Sequence, residues 1–238
     1  MATITERALA ATLDHAILKP ELTRADVDAE LDIAAEWKVF SVCVRPSDIP
    51  HAVERLAGTG VAVGTVIGFP HGTTSTAAKV AEVRQALADG ATEFDMVINI
   101  GALRSGFDDA VAADIAAVVE AASGHVTKVI LETALLDDEQ IARGSRLTER
   151  GGADFVKTST GFAGGGATAA HVRLMRENVG EGVQVKASGG VRSYADALAM
   201  LDAGATRLGT SGSAVILGEA RRVDAGEEST GAVDASSY

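Results

Sequence analysis

A regular alternation constrains this chain more than any other feature of its sequence. Apolar runs of β type at 13–18, 39–44, 61–67, 93–98, 127–132, 155–159, 183–188 and 207–211 are separated by longer segments of helical period. The helical segments open on capping residues: Thr23 with Asp26, Ser47 before Asp48, Thr74 before a run to Ala88, then Asp108, Asp137, Thr168 and Ser193. Three of them close on variants of one phrase, Asp89-Gly90-Ala91-Thr92, Gly151-Gly152-Ala153-Asp154 and Ala203-Gly204-Ala205-Thr206, each a glycine turn leading into a strand. Repeated strand, helix and short turn is the grammar of a parallel sheet with crossover helices. Eight such strands predict an α/β chain closed as a (β/α)8 TIM barrel, with an open doubly wound sheet as the runner-up. The first βα turn carries no G-x-G-x-x-G, which weakens the dinucleotide-binding version of that runner-up. One domain over 1–222 follows, with a short polar N-terminal helix, and residues 223–238, rich in Asp, Glu, Gly and Ser, read as a flexible acidic tail.

Charge and composition narrow the partners. A formal charge of -12 argues against an electrostatic grip on nucleic acid or anionic lipid, and could reflect a high-salt or high-GC source. Cys43 is the one cysteine, so no internal disulfide and no thiolate zinc cluster is available, and it reads as a small buried hydrophobe on a strand. The five histidines show no ligand spacing, so neither a metal nor a cofactor is expected. The N-terminal stretch lacks the apolar centre of a signal peptide and no apolar run reaches membrane-spanning length, from which a cytoplasmic location is expected.

Only six lysines occur, and three of them, Lys128, Lys157 and Lys186, sit inside β-type runs where a cation is costly without a partner. Two of these belong to a repeated phrase: Phe155-Val156-Lys157-Thr158-Ser159 returns 29 residues later as Gln184-Val185-Lys186-Ala187-Ser188, each copy followed by glycine. On neighbouring strands the two amines share a cavity. Unit charges about 5 Å apart at an effective dielectric near 20 repel by roughly 3 kcal/mol, and burial adds to the effect. One amine is then free enough of its proton to attack a carbonyl at neutral pH. The alternative is a pair of lysines neutralised in structural ion pairs or pointing outward, and equal offsets do not say which of the two would attack.

Asp95 lies in the apolar run Glu93-Phe94-Asp95-Met96-Val97-Ile98-Asn99, where a carboxylate needs a partner, and is the natural proton carrier or counter-charge for the lysines. Lys128 and Glu132 share strand parity, and pair with each other or with Asp95 in a structural role, or face the cavity together. Glycines after the last strands, at Gly161, Gly189-Gly190 and Gly209-Thr210-Ser211-Gly212, expose backbone N–H groups where many barrels hold a phosphate.

With these motifs in view, the chain resembles the deoxyribose-phosphate aldolases, class I Schiff-base aldolases built on a TIM barrel. The resemblance runs from about Leu13 to Ser213, through Leu13-Asp14-His15, Ser41-Val42-Cys43-Val44, Val66-Ile67-Gly68-Phe69-Pro70-His71-Gly72, the Asp95 segment, Lys128-Val129-Ile130-Leu131-Glu132-Thr133, Val156-Lys157-Thr158-Ser159-Thr160-Gly161-Phe162 and Val185-Lys186-Ala187-Ser188-Gly189-Gly190-Val191-Arg192. It implies reversible cleavage of 2-deoxy-D-ribose 5-phosphate to D-glyceraldehyde 3-phosphate and acetaldehyde, within deoxyribose phosphate catabolism. It further implies that Lys157 forms the imine, that Lys186 lowers its pKa and shares in proton transfer, and that Asp95 moves protons at the carbinolamine and enamine steps. Asp14, Lys128 and Thr160 would belong to the substrate pocket, with Gly161, Gly189, Gly190, Ser211 and Gly212 around the phosphate. A homodimer is implied as well, and a role for the terminal Tyr238 as a residue that enters the site, against which an incidental tyrosine at a loose end stands as the alternative. Other phosphate-binding Schiff-base barrels, such as a transaldolase or a larger sugar-phosphate aldolase, and a non-catalytic sugar-phosphate sensor remain as competing readings.

Overall fold

The computed structural model describes residues 4–235; Tyr238 lies outside them. The eight expected strands form: β1 (Leu13–Ile17), β2 (Ser41–Val44), β3 (Ala62–Ile67), β4 (Glu93–Val97), β5 (Val126–Ile130), β6 (Phe155–Lys157), β7 (Gln184–Ser188) and β8 (Arg207–Thr210). Each pairs in parallel with the next and β8 pairs with β1, which closes the barrel and rules out the open sheet. Between them run α1 (Glu6–Ala10), α2 (Arg24–Trp37), α3 (Ile49–Arg55), α4 (Thr76–Ala88), α5 (Ile100–Arg104), α6 (Asp108–Ala121), α7 (Asp138–Arg150), α8 (Ala169–Glu177), α9 (Tyr194–Asp202) and α10 (Ser213–Asp224).

Several strands stop short of their apolar runs. β6 ends at Lys157 rather than at residue 159, because Thr158 turns its hydroxyl to the Ser188 carbonyl (2.9 Å) as the chain leaves the sheet. The shortening has a functional result: Lys157 stands at the C-terminal rim, where barrel enzymes collect their reactive groups.

Helix starts follow the sequence where a side chain is free to cap. Thr23, Asp137 and Ser193 each form a full capping box, and Thr168 caps α8. At α4 the cap is Ser75, not Thr74. Asp48 caps nothing, since Arg45 Nε holds its carboxylate at 2.6 Å within a 3₁₀ turn, Pro46–Asp48. Asp108 lies inside the first turn of α6 behind Phe107. The five-residue α5, capped by Asn99, is too short to show a period and is not visible in the sequence pattern. The repeated αβ turns behave as expected, with Gly90, Gly152 and Gly204 at φ 101°, 82° and 106°.

Outward-facing residues such as Val42, Phe94, Met96, Val129, Val156 and Val185 form one continuous core with the helices. A second, small apolar cluster of Leu18, Cys43 and Val66, packed by Ala16 and Phe69, sits apart from it. Cys43 is thus buried, as expected.

At the C-terminal end, α10 extends to Asp224, past the expected boundary at residue 222. The segment expected to be a flexible tail is folded back on the barrel as far as Asp234: Thr230 N donates to Glu219 at 2.8 Å, Val233 bridges Ser193 and Asp234 N donates to Arg192 O at 2.9 Å. A segment poor in apolar residues is held here by polar contacts, which its composition does not reveal. Among the described residues no helix is long and apolar enough to cross a membrane.

Candidate active site

Strand register decides which side chains meet. Lys157 pairs with Lys186, Lys186 with Arg207, and Asp95 with Lys128. All point into the barrel, and the three lysines converge on the Asp95 carboxylate. Asp95 Oδ1 accepts from Lys128 Nζ at 2.9 Å, while Oδ2 accepts from Lys157 Nζ at 2.7 Å and from Lys186 Nζ at 2.8 Å. Lys186 Nζ also lies 2.5 Å from Asp14 Oδ2. Beneath them Arg207 binds Asp14 and Glu93 and lies 3.6 Å over the Phe40 ring, and Lys128 reaches Glu93 at 2.7 Å. All seven ionic groups are at least nine-tenths buried.

This network is unbalanced. Three carboxylates, Asp14, Glu93 and Asp95, face four bases, Lys128, Lys157, Lys186 and Arg207. A surplus charge in a low-dielectric core is most cheaply removed by losing a proton. Arg207 cannot supply it. Lys128 and Lys186 each contact at least two carboxylates, whereas Lys157 has only its share of Asp95.

The individual shifts agree with that count. Burial pushes Lys157 below the ordinary lysine value, with Asp95 opposing and the charge of Lys186 assisting. Burial also acts on Lys186, but Asp14 and Asp95 outweigh it and hold this amine well above the usual range. Lys128 is raised too: burial and the charge of Lys186 lower it, and Asp95, Asp14 and Glu93 together outweigh them. Burial would raise both acids, yet the ammonium groups keep Asp95 well below the usual carboxylate range and Asp14 down at about 2. One expectation is thereby corrected and one open question is narrowed. Desolvation, more than repulsion between lysines, frees Lys157, and the carboxylates supply the asymmetry that equal offsets in the sequence could not.

Above the network a cavity opens at the barrel mouth. Of the expected residues, Asp14, Thr160, Lys157, Lys186, Gly189 and Ser211 line it, and the Ser211 hydroxyl has no hydrogen-bond partner among the described residues. Asp95 is the floor group bonded to the two lining lysines. Lys128 does not line the cavity; it is one contact further down, between Asp95 and Glu93. Gly161 and Gly190 adjoin the lining residues Thr160 and Gly189 without lining the cavity themselves. Gly212 departs further from expectation, because its N–H donates to Thr210 Oγ1 at 2.9 Å and Asp234 packs against its Cα.

Several participants escape a reading of the sequence. Arg207, Glu93 and Ser41 bind the network, and Ser188 lines the cavity beside Gly209, which the sequence places in the phosphate loop. Strand parity is the available signal, since Glu93 precedes Asp95 by two and Arg207 precedes Gly209 by two. Gly209 is needed for space: a Cβ there would lie 2.8 Å from Ser188 Cβ and 3.3 Å from Lys186 Cε.

Comparison with known proteins agrees with the geometry. A deoxyribose-phosphate aldolase of Staphylococcus aureus (strain MRSA252) is 56% identical over 205 residues, covering 86% of this chain and 93% of the relative. The solved tetrameric deoxyribose phosphate aldolase from Aeropyrum pernix superposes with a TM-score of 0.85 at 32% identity, covering 92% and 93% of the two chains. An aldolase designated QR15 superposes at 0.88 with 36% identity over 92% and 99%. Residues 8–219 match the DeoC/LacD family aldolase pattern, and with a buried lysine at the mouth of a closed eight-stranded barrel, this chain belongs to that family.

Proposed function

We propose that this enzyme cleaves 2-deoxy-D-ribose 5-phosphate reversibly to D-glyceraldehyde 3-phosphate and acetaldehyde, through a Schiff base on Lys157. The observation that carries the reading is the charge count: Lys157 is the cavity-lining base left without a carboxylate of its own. A neutral amine there adds to the open-chain aldehyde, and loss of water gives an iminium. The iminium draws the C2–C3 bonding electrons onto C2 as that bond breaks, the C3 hydroxyl losing its proton to leave D-glyceraldehyde 3-phosphate. Protonation of the enamine at C2 and hydrolysis then release acetaldehyde.

In this reading Asp95 is the counter-charge of the iminium, 2.7 Å from the nitrogen that carries it. Lys186, fixed as an ammonium by Asp14 and Asp95, keeps Lys157 from regaining a proton. Ser211, two residues before α10, and Gly189, which lines the same cavity, suit the phosphate end of the substrate. The names of the relatives support the same substrate.

Product analysis separates this reading from other sugar-phosphate aldolases. Glyceraldehyde 3-phosphate should appear with deoxyribose 5-phosphate and be absent with fructose phosphates; the reverse preference would replace the substrate assignment.

A further inference from the structure

His15 takes no part in the steps above, yet it is wholly buried and both of its ring nitrogens are engaged. Nδ1 lies 2.9 Å from Ser213 Oγ, and Nε2 lies 2.8 Å from Glu30 Oε2. The three residues come from β1, α10 and α2. An ionised carboxylate only accepts, so Nε2 carries the hydrogen. In the neutral ring Nδ1 is then the acceptor, and the Ser213 hydroxyl donates to it. Serine, histidine and glutamate in that order resemble a nucleophile with its base and orienting acid. Ser213 is 0% exposed, however, and does not line the cavity, so its oxygen meets no substrate. What this chain of hydrogen bonds fixes is position.

The residue held is the first of α10, and the segment leading into that helix is clamped at both ends. At one end Thr210 Oγ1 donates to Val191 O at 2.7 Å and accepts from Gly212 N at 2.9 Å, which ties the exit of β8 to the loop after β7. At the other end Ser213 is fastened to His15. Between the two clamps stands Ser211, which lines the cavity and whose buried hydroxyl has no hydrogen-bond partner among the described residues. β1 serves both parts of the site. Asp14 turns inward to Lys186, and His15, the next residue, turns outward to Ser213. Adjacent residues of one strand thus reference the charge network and the start of α10 to each other.

We propose that His15 is a positioning residue for the substrate phosphate: by holding Ser213 it fixes the start of α10, and so sets Ser211 where the phosphate oxygens arrive when the aldehyde carbon is at Lys157. This rests on the assignment of the phosphate end of the substrate to Ser211. A donor already fixed in place spends little of its binding energy on its own ordering when the ligand arrives. The link therefore acts on phosphorylated substrates and leaves the chemistry at Lys157 alone. It also follows that the ring nitrogen facing Ser213 matters more than the one facing Glu30.

The test compares steady-state cleavage of 2-deoxy-D-ribose 5-phosphate and of unphosphorylated 2-deoxy-D-ribose by the full chain, with inorganic phosphate as a competing anion. Ser213→Ala removes the donor with the least change in shape. It should raise KM for the phosphorylated sugar and Ki for inorganic phosphate together, about 10-fold, the order of one lost hydrogen bond. Its kcat, and its rate on the unphosphorylated sugar, should stay within about two-fold of the unaltered protein. His15→Gln, whose amide reaches the position of Nε2 but not that of Nδ1, should behave like Ser213→Ala. His15→Asn places an amide oxygen where Nδ1 stands and should restore KM to within about three-fold. Equal losses on both sugars would show a link that serves stability only and would overturn the proposal. Unchanged constants in Ser213→Ala, or a His15→Asn variant as impaired as His15→Gln, would overturn it as well. An unaltered protein with no preference for the phosphorylated sugar would instead overturn the phosphate assignment beneath it.

Discussion

Replacing Asp95 with asparagine is expected to damage stability and catalysis together. The substitution leaves two carboxylates, Asp14 and Glu93, against four bases in one buried network. Removing one partner of a buried ion pair typically costs about 3–5 kcal/mol, because the remaining charge is left uncompensated. A denaturant midpoint well below that of the unaltered chain should report it. Lys157 loses its main pKa-raising partner, so its amine should be more fully neutral than before. Adduct formation with acetaldehyde should therefore survive at low pH. Turnover of deoxyribose 5-phosphate should nevertheless fall about 100- to 1,000-fold, the usual loss when an electrostatic partner of the reacting centre is removed. Turnover within ten-fold of the unaltered enzyme would refute the counter-charge role.

Lys186→Leu should act in the opposite direction on the same amine. Without Lys186 the network holds three acids and three bases, and the surplus that strips Lys157 is gone. Folded-state repulsion now lowers the Lys157 pKa, so imine formation climbs with pH and reaches its plateau below the ordinary lysine range. Removing that repulsion raises the pKa and moves the ascending limb to higher pH. An interaction of roughly 3 kcal/mol corresponds to a rate about 100-fold slower at neutral pH. Lys186→Arg keeps the charge and should leave the limb near its original position. A Lys186→Leu profile superposable on the original would show that burial alone frees Lys157.

The barrel is legible in the sequence because its information is periodic. Each strand is an apolar run and each αβ turn repeats a glycine, so the topology follows from counting. Lys157, Lys186 and Asp95 are legible because a charge inside an apolar strand is conspicuous. What stays hidden depends on register and approach. Lys128 reads from sequence as a pocket residue, or as a partner of Glu132 or of Asp95; the register sets it between Asp95 and Glu93, as the last of these allows, and Glu132 turns to Thr160 instead. Gly212 sits in a glycine loop of the right kind, yet its N–H is taken by Thr210 two residues earlier and its space by Asp234, from a segment that composition does not connect to the loop. The identity of the attacking lysine is hidden for a similar reason. It depends on which amine Asp14 reaches across from β1, which is decided by closure of the barrel.

The most direct measurement of the central claim is mass mapping after incubation with acetaldehyde and borohydride. The added mass of one reduced two-carbon unit should be found on the peptide containing Lys157, with the peptides of Lys128 and Lys186 unmodified. An adduct on Lys186, or none on Lys157, would contradict the assignment of the lysine that only shares a carboxylate as the nucleophile.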